Sequence, residues 1–191
     1  MRPTHSQQTR RFDALFAAHG ADVLAYCTWR AASASDGQDA AADVFLTAWR
    51  RLDAVPEGAS ARLWLYATAR RVIANQRRAR RRGLALQERL ASEAGAGPAV
   101  ASSQDDEQDA RVHEALRSLS SRDREVLLLS EWESLSPAEI ASVIGCLTVT
   151  ARGRLHRARH RFRTAFEELP ARDGSAPATT DVFRRRIHEH A

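Results

Sequence analysis

The chain has no lysine; its 29 Lys-plus-Arg residues are all arginine. Guanidinium forks hold phosphates and guanine edges two-pronged, where an ammonium offers only a point charge. The bias suits a nucleic-acid partner, although the Ala and Arg richness of a GC-rich coding sequence explains most of it. No apolar run approaches the roughly 20 residues that span a bilayer. Nor does an apolar segment follow the charged start, as a secretory signal requires. A cytoplasmic protein without membrane insertion is therefore expected. There are 2 cysteines, Cys27 and Cys146, far apart and outside any Cys-x-x-Cys spacing. Both are read as small buried apolar side chains, neither bridged nor metal-bound. His156 and His160 stand four apart, but no third ligand accompanies them. A glycine-rich phosphate loop and a nucleophile–base pair are also missing, so neither catalysis nor a cofactor is expected.

What is present is helical. The length of 191 residues allows one domain or two small ones, and the net charge of +5 with a pI near 10.4 suits a polyanion. Residues 1–10 are polar and read as frayed. From Arg11, the positions Phe12, Leu15, Phe16, His19, Val23 and Cys27 mark a first helix, broken by the Ser and Gly of 31–37. A second helix, 39–52, buries Val44, Phe45, Ala48 and Trp49 and leaves Asp39, Asp43 and Arg50 outside. Pro56 and Gly58 break the chain again. Ser60 then caps a long third helix. Its first half carries Leu63, Trp64, Leu65 and Tyr66, read as core in preference to a base-stacking platform; its second half is nearly a polyarginine face.

Residues 83–108 change character. Leu84, Leu86 and Leu90 can continue a weak helix, but Gly, Ala, Pro and Ser follow, ending in SSQDDEQD. Such a stretch reads as a flexible acidic linker. Its acids, Glu88, Glu93, Asp105, Asp106, Glu107 and Asp109, serve as a plain tether or mimic nucleic acid in a basic channel. Beyond it, Val112, Ala115, Leu116 and Leu119 mark one helix, and Val126, Leu127, Leu129 and Trp132 another. The fold class is all-α: two small helical bundles, 10–82 and 109–169, with a tail over 170–191. In that tail Asp181 can cap a short helix bearing Phe183 and Ile187.

The second bundle closes on SPAEIASVIGCLTVTARGRLHRARHRF, residues 136–162. Ser136 can cap a short helix, Pro137 suits its first position, Glu139 can close a capping box and Gly145 supplies a left-handed stop. Ile140, Val143 and Ile144 form its apolar stripe. Thr148 or Thr150 can cap the next helix, where Ala151, Leu155, Ala158, Phe162 and Ala165 recur at helical spacing. Arg152, His156, Arg159 and Arg163 form a second stripe, turned away from the first. The pattern is a helix-turn-helix whose second member suits the major groove.

These blocks together resemble the extracytoplasmic-function sigma factors, the two-domain promoter-recognition subunits of bacterial RNA polymerase. The resemblance rests on DAAADVFLTAWRRLD followed by ARLWLYATARRVIANQRRARRR, and on ALRSLSSRDREVLLLSEWESLSPAEIASVIGCLTVTARGRLHRARHRFR. It covers nearly all of residues 11–169. It implies that core RNA polymerase is docked through Asp39, Asp43, Phe45 and Arg50. It also implies a pocket for a flipped base of the minus-ten element, made by the turn 53–61 with Val55 and walled by Arg70, Arg71 and Asn75. Arg77, Arg78, Arg80 and Arg81 would hold backbone phosphates. Arg152, Gly153, His156 and Arg157 match positions that read the minus-thirty-five element, and Thr150 matches a phosphate contact. An anti-sigma factor is a further implied partner. The chain departs from the family pattern at Ala42 (usually Gln), Arg71 (often Asn), Val149 (usually Gly) and Gly153 (usually Ser). The competing function is a stand-alone helix-turn-helix transcription regulator, which would bind duplex DNA tightly by itself as a dimer.

Overall fold

Helix α1 starts at His5 and runs to Arg30, earlier than the Arg11 start read from the sequence. The polar beginning is tied down: the Thr9 hydroxyl donates to the His5 carbonyl at 3.0 Å, and the His5 ring stands edge-on to Trp49 at 6.3 Å. The structure, a computed structural model, describes residues 5–90 and 107–169. Most of the acidic linker and the whole of 170–191, including the short helix expected at Asp181, lie outside the described residues. The chain folds as two units, Met1–Ser102 and Ser103–Ala191.

In the first unit α2 spans Ala34–Arg50, starting inside the stretch read as a break. The Ser33 side chain accepts from the Asp36 amide at 3.1 Å, which caps the helix there. Gly37 is a packing residue, not a breaker. It is buried, and a Cβ built on it would lie 2.6 Å from the Thr28 Cα of α1. A 3-10 turn, Leu52–Ala54, leads to Gly58 at φ 63° and then to α3, Ala59–Leu90. Ser60 sits inside the first turn of α3, not at its cap. The helix continues through Gly83 to Leu90, so the beginning of the stretch read as linker is helical. Arg, Gln, Glu, Leu and Ala carry it, and one interior glycine costs only about 1 kcal/mol.

The core of this unit joins Val23, Tyr26 and Cys27 of α1 to Ala40, Val44 and Ala48 of α2 and Leu65, Tyr66, Ala69 and Ile73 of α3. Tyr26 and Tyr66 stack at 4.8 Å, with the Arg30 guanidinium 3.7 Å over Tyr26 and that of Arg62 5.2 Å over Tyr66. An aromatic pair adds about 0.5–1.5 kcal/mol beyond the area it buries. Phe16 departs from expectation: it is 53% exposed, held by its edge against Phe45 at 4.8 Å. Trp49, read as core, is also exposed.

The second unit comprises α4 (Glu107–Ser118), α5 (Ser121–Glu131), α6 (Pro137–Ile144) and α7 (Thr148–Glu168), with no strand among the described residues of either unit. Its first three helices all pack against α7. The interior is Val112, Ala115, Leu116, Leu119, Val126, Leu127, Leu129, Ile140, Val143, Leu155, Ala158 and Phe162. The stripes read from the sequence thus meet in one core, except that Ile144, Ala165 and Trp132 are only half-buried.

Several helix ends are closed by guanidiniums reaching in from elsewhere. Arg124 donates to the carbonyls of Leu116 (2.6 Å), Arg117 (2.8 Å) and Leu119 (3.2 Å) at the end of α4. Arg111 donates to the carbonyls of Phe166 and Leu169 at the end of α7, at 3.1 and 3.2 Å, and lies 4.5 Å over the Phe166 ring. In the first unit Arg77 reaches the Arg30 carbonyl at 2.5 Å, at the end of α1.

Candidate nucleic-acid and polymerase interfaces

The α6–turn–α7 element is built as its sequence dictates. The Ser136 hydroxyl accepts from the Glu139 amide at 3.4 Å, while the Glu139 carboxylate accepts from the Ser136 amide at 2.8 Å. Pro137 occupies the first turn, and Gly145 ends the helix at φ 77°. The N-cap of α7 is Leu147, with no side-chain bond; Thr148 and Thr150, expected as caps, lie inside the helix. The Ala151 amide makes the first backbone bond, to the Leu147 carbonyl at 3.0 Å. The amides of Thr148, Val149 and Thr150 therefore stand ahead of it at the positive end of the helix dipole.

One face of α7 is core: Ala151, Leu155, Ala158 and Phe162 are buried. The other presents Arg152, His156 and Arg157 exposed, with Thr150 and Gly153 half-buried. Arg152, Arg157 and Arg163 form no ion pair among the described residues, whereas two neighbours do. Arg159, counted from the sequence in the outward basic stripe, pairs with Glu131 at 2.7 Å and donates to Ser130 at 3.1 Å. Arg161 pairs with the buried carboxylate of Asp123. These two cations tie α7 to α5.

Arg161→Ala should therefore act on folding. It leaves Asp123 buried without a cation, at a cost of several kcal/mol in a dry pair. The outer partner is 59% exposed, which brings the expected loss to about 1–2 kcal/mol. Thermal unfolding of the full chain reads the loss, and adding Asp123→Asn should recover part of it. A melt that Arg161→Ala leaves in place would show that the pair contributes nothing.

On α2, Asp39, Asp43 and Arg50 are exposed, as read, and Leu46 joins them at 45% exposure. The spacing 39, 43, 46, 50 puts all four on one helical face. Sequence reasoning missed Leu46, though that spacing was there to find it. Phe45 does not belong with them: at 6% exposure it packs edge-on against Phe12 and Phe16. It shapes the face from behind and offers no outward contact.

The turn after α2 also needs correction. Val55 is 4% exposed, its carbonyl accepting from Arg11 at 2.7 Å, so its side chain lines no open pocket. Arg71 lies twelve residues into α3, about 18 Å along the axis from Ala59, and Asn75 about 24 Å. A pocket shared by the turn and the trio Arg70, Arg71 and Asn75 would have to span that length of α3. Among the remaining arginines, Arg78 donates to the Asn75 side chain, Arg80 meets Asp36 at 3.4 Å and Arg77 is held by the α1 carbonyl. Arg71 and Arg81 are exposed and Arg70 half-buried, none with an ion pair among the described residues. No trio of His, Cys, Asp or Glu among the described residues could hold a metal ion, and no described helix is long and apolar enough to cross a membrane.

Residues 15–83 match the family described as Sigma-70 region 2, and residues 109–162 match Sigma-70, region 4. The chain is 29% identical over 161 residues to the ECF RNA polymerase sigma factor SigL of Mycobacterium tuberculosis, covering 82% of this chain and 89% of that one. It is 29% identical over 170 residues to the RNA polymerase sigma-H factor of Pseudomonas aeruginosa, covering 84% and 88%. In fold it is similar to the sigma factor RpoE of Bartonella quintana, solved with the anti-sigma factor NepR. The TM-score is 0.66 at 23% identity, over 83% of this chain and 98% of that one. CnrH, solved with the cytosolic domain of CnrY, gives a TM-score of 0.61 at 24% identity, over 86% and 96%. A region 2 bundle followed along one chain by a region 4 helix-turn-helix makes this protein a member of the extracytoplasmic-function sigma factors, which direct RNA polymerase to promoters.

Proposed function

We propose that this sigma factor divides promoter recognition between its two units and acts without catalysis of its own, in the cytoplasm. In the second unit Arg152, His156 and Arg157 read base edges of the minus-thirty-five duplex in the major groove. Thr150 and the amides that begin α7 take a phosphate, and Gly153 lets the backbone approach. In the first unit Asp39, Asp43, Leu46 and Arg50 dock core polymerase. Arg70, Arg71 and Arg81 hold the opened minus-ten strand, while Arg77, Arg78 and Arg80 first serve the fold. An anti-sigma factor, such as those in complex with the similar structures, would compete for the same exposed faces.

The observation that carries this proposal is the division among the arginines of α7. Those facing α5 are neutralised by Glu131 and Asp123; Arg152 and Arg157, facing out, have no carboxylate partner among the described residues. Fixed cations without counter-charges are what phosphates and guanine edges recognise. With the polymerase-bound protein, Arg152→Ala should cost about 1–3 kcal/mol on the preferred upstream element and relax preference at one base pair. Arg163→Ala, a backbone grip, should weaken all sequences alike and lower the salt slope by about one. Equal loss on preferred and scrambled duplex would demote Arg152 to a grip. Tight duplex binding as a dimer without polymerase would instead favour the stand-alone regulator.

A further inference from the structure

Beside the cations, α7 presents an exposed apolar group. Val149 is 71% exposed in the first turn. Gly153 follows it one turn later on the same face. A Cβ built at Gly153 would meet only the Arg157 Nη1, at 3.6 Å. The glycine thus leaves a shallow notch with Val149 as its apolar wall, flanked by the exposed Arg152 and His156. A β-branched residue and a glycine are both poor choices for a helix surface, and the exposed Val149 is not repaid by burial within the unit.

We infer that the Val149–Gly153 notch receives the 5-methyl group of a thymine, making Val149 a specificity-determining residue. The step rests on the proposed reading of α7 as the major-groove helix. In that groove the base edges display donors and acceptors, and the thymine methyl is the apolar feature among them. A phosphate or a guanine edge gains nothing from an isopropyl group. The guanidiniums of Arg152 and Arg157 beside the notch place it against nucleic acid rather than an apolar protein surface, because burying them unpaired on protein would be costly. The expected signature is a preference for T that depends on the methyl group itself. Burying one such carbon is equivalent to about a fourfold change in affinity.

The test uses the full chain assembled with core RNA polymerase, selecting from duplex libraries randomised across the upstream element. One library contains thymidine and the other deoxyuridine throughout. The wild type should favour T at one position, about fourfold over the same position carrying deoxyuridine. V149S should lose that preference in the thymidine library while keeping the base preference set by Arg152; G153S, which fills the notch, should lose it too. A thermal melt and polymerase binding without DNA check both variants. Identical rankings in the two libraries, or an unchanged ranking for V149S, would overturn the methyl contact alone. Weakened assembly of V149S with polymerase in the absence of DNA would assign Val149 to a protein surface and also overturn it. Enrichment of no sequence by the wild type would remove the promoter-reading role of α7, and the notch with it.

Discussion

Gly37→Ala should destabilise the first unit, although the same exchange on an open helix would stabilise it. Alanine in a helix interior gains roughly 0.5–1 kcal/mol over glycine. Here the added Cβ would stand 2.6 Å from the Thr28 Cα and 3.0 Å from its amide nitrogen. Both are backbone atoms, which cannot rotate away as a flexible side-chain end would. Relief requires α1 and α2 to move apart, and overpacking of this kind costs typically about 1–3 kcal/mol. The contact outweighs the propensity. In a unit of roughly a hundred residues each kcal/mol moves the midpoint by about 4–8 °C. Calorimetry on the full chain should show the melt of the first unit lowered by several degrees with the second unit unmoved. A raised midpoint would mean that the two helices separate at almost no cost.

Asp43→Arg should leave folding intact and weaken core polymerase binding by more than tenfold. Asp43 is exposed, without an ion pair among the described residues, and shares its face with Asp39, Leu46 and Arg50. The fold therefore loses nothing when the charge is reversed. At an interface the reversal places a cation where an anion was matched, and like-charge juxtaposition costs several kcal/mol. Binding titrations against core polymerase at two ionic strengths measure the effect, which should shrink as salt screens the field. An affinity equal to the wild type would move the docking face elsewhere on the first unit. The exposed aromatics Phe16 and Trp49 would then be the next surface to test.

The parts of this protein that were legible in its sequence are those whose causes lie within a few residues of one another. Ser136, Pro137, Glu139 and Gly145 specify the start and stop of α6 locally, and the structure realises each of them. The apolar stripes of the second unit were equally readable, since helical spacing is a local signal. The start of α2 was legible too, in Ser33 followed by Asp36, but Gly37 was weighed there as a breaker. Its actual role is set by Thr28 on another helix. The pairings of Arg159 with Glu131 and Arg161 with Asp123 span 28 and 38 residues. No spacing rule reaches that far, so paired and unpaired arginines look alike in the sequence. Phe45 and Val55 were misjudged by assigning a motif's function to every member of the motif. A helix or turn that carries a binding face must also bury its other side.

The guanidiniums that close helix ends have a consequence for how the protein comes apart. A helix stopped by glycine keeps its last carbonyls satisfied by its own next residues, as α6 does through Gly145. The ends of α1, α4 and α7 depend instead on Arg77, Arg124 and Arg111, which belong to other helices. In such helices the last turn cannot fray independently, because releasing it also breaks a bond to a neighbour. Local opening at those ends is thereby joined to separation of the helices, and amide protection there should follow the opening of the whole unit. Arginine makes this possible with its fork of donors, which can serve two or three carbonyls at once. In a chain without lysine, the same kind of side chain that is proposed to meet DNA also makes each bundle cooperative.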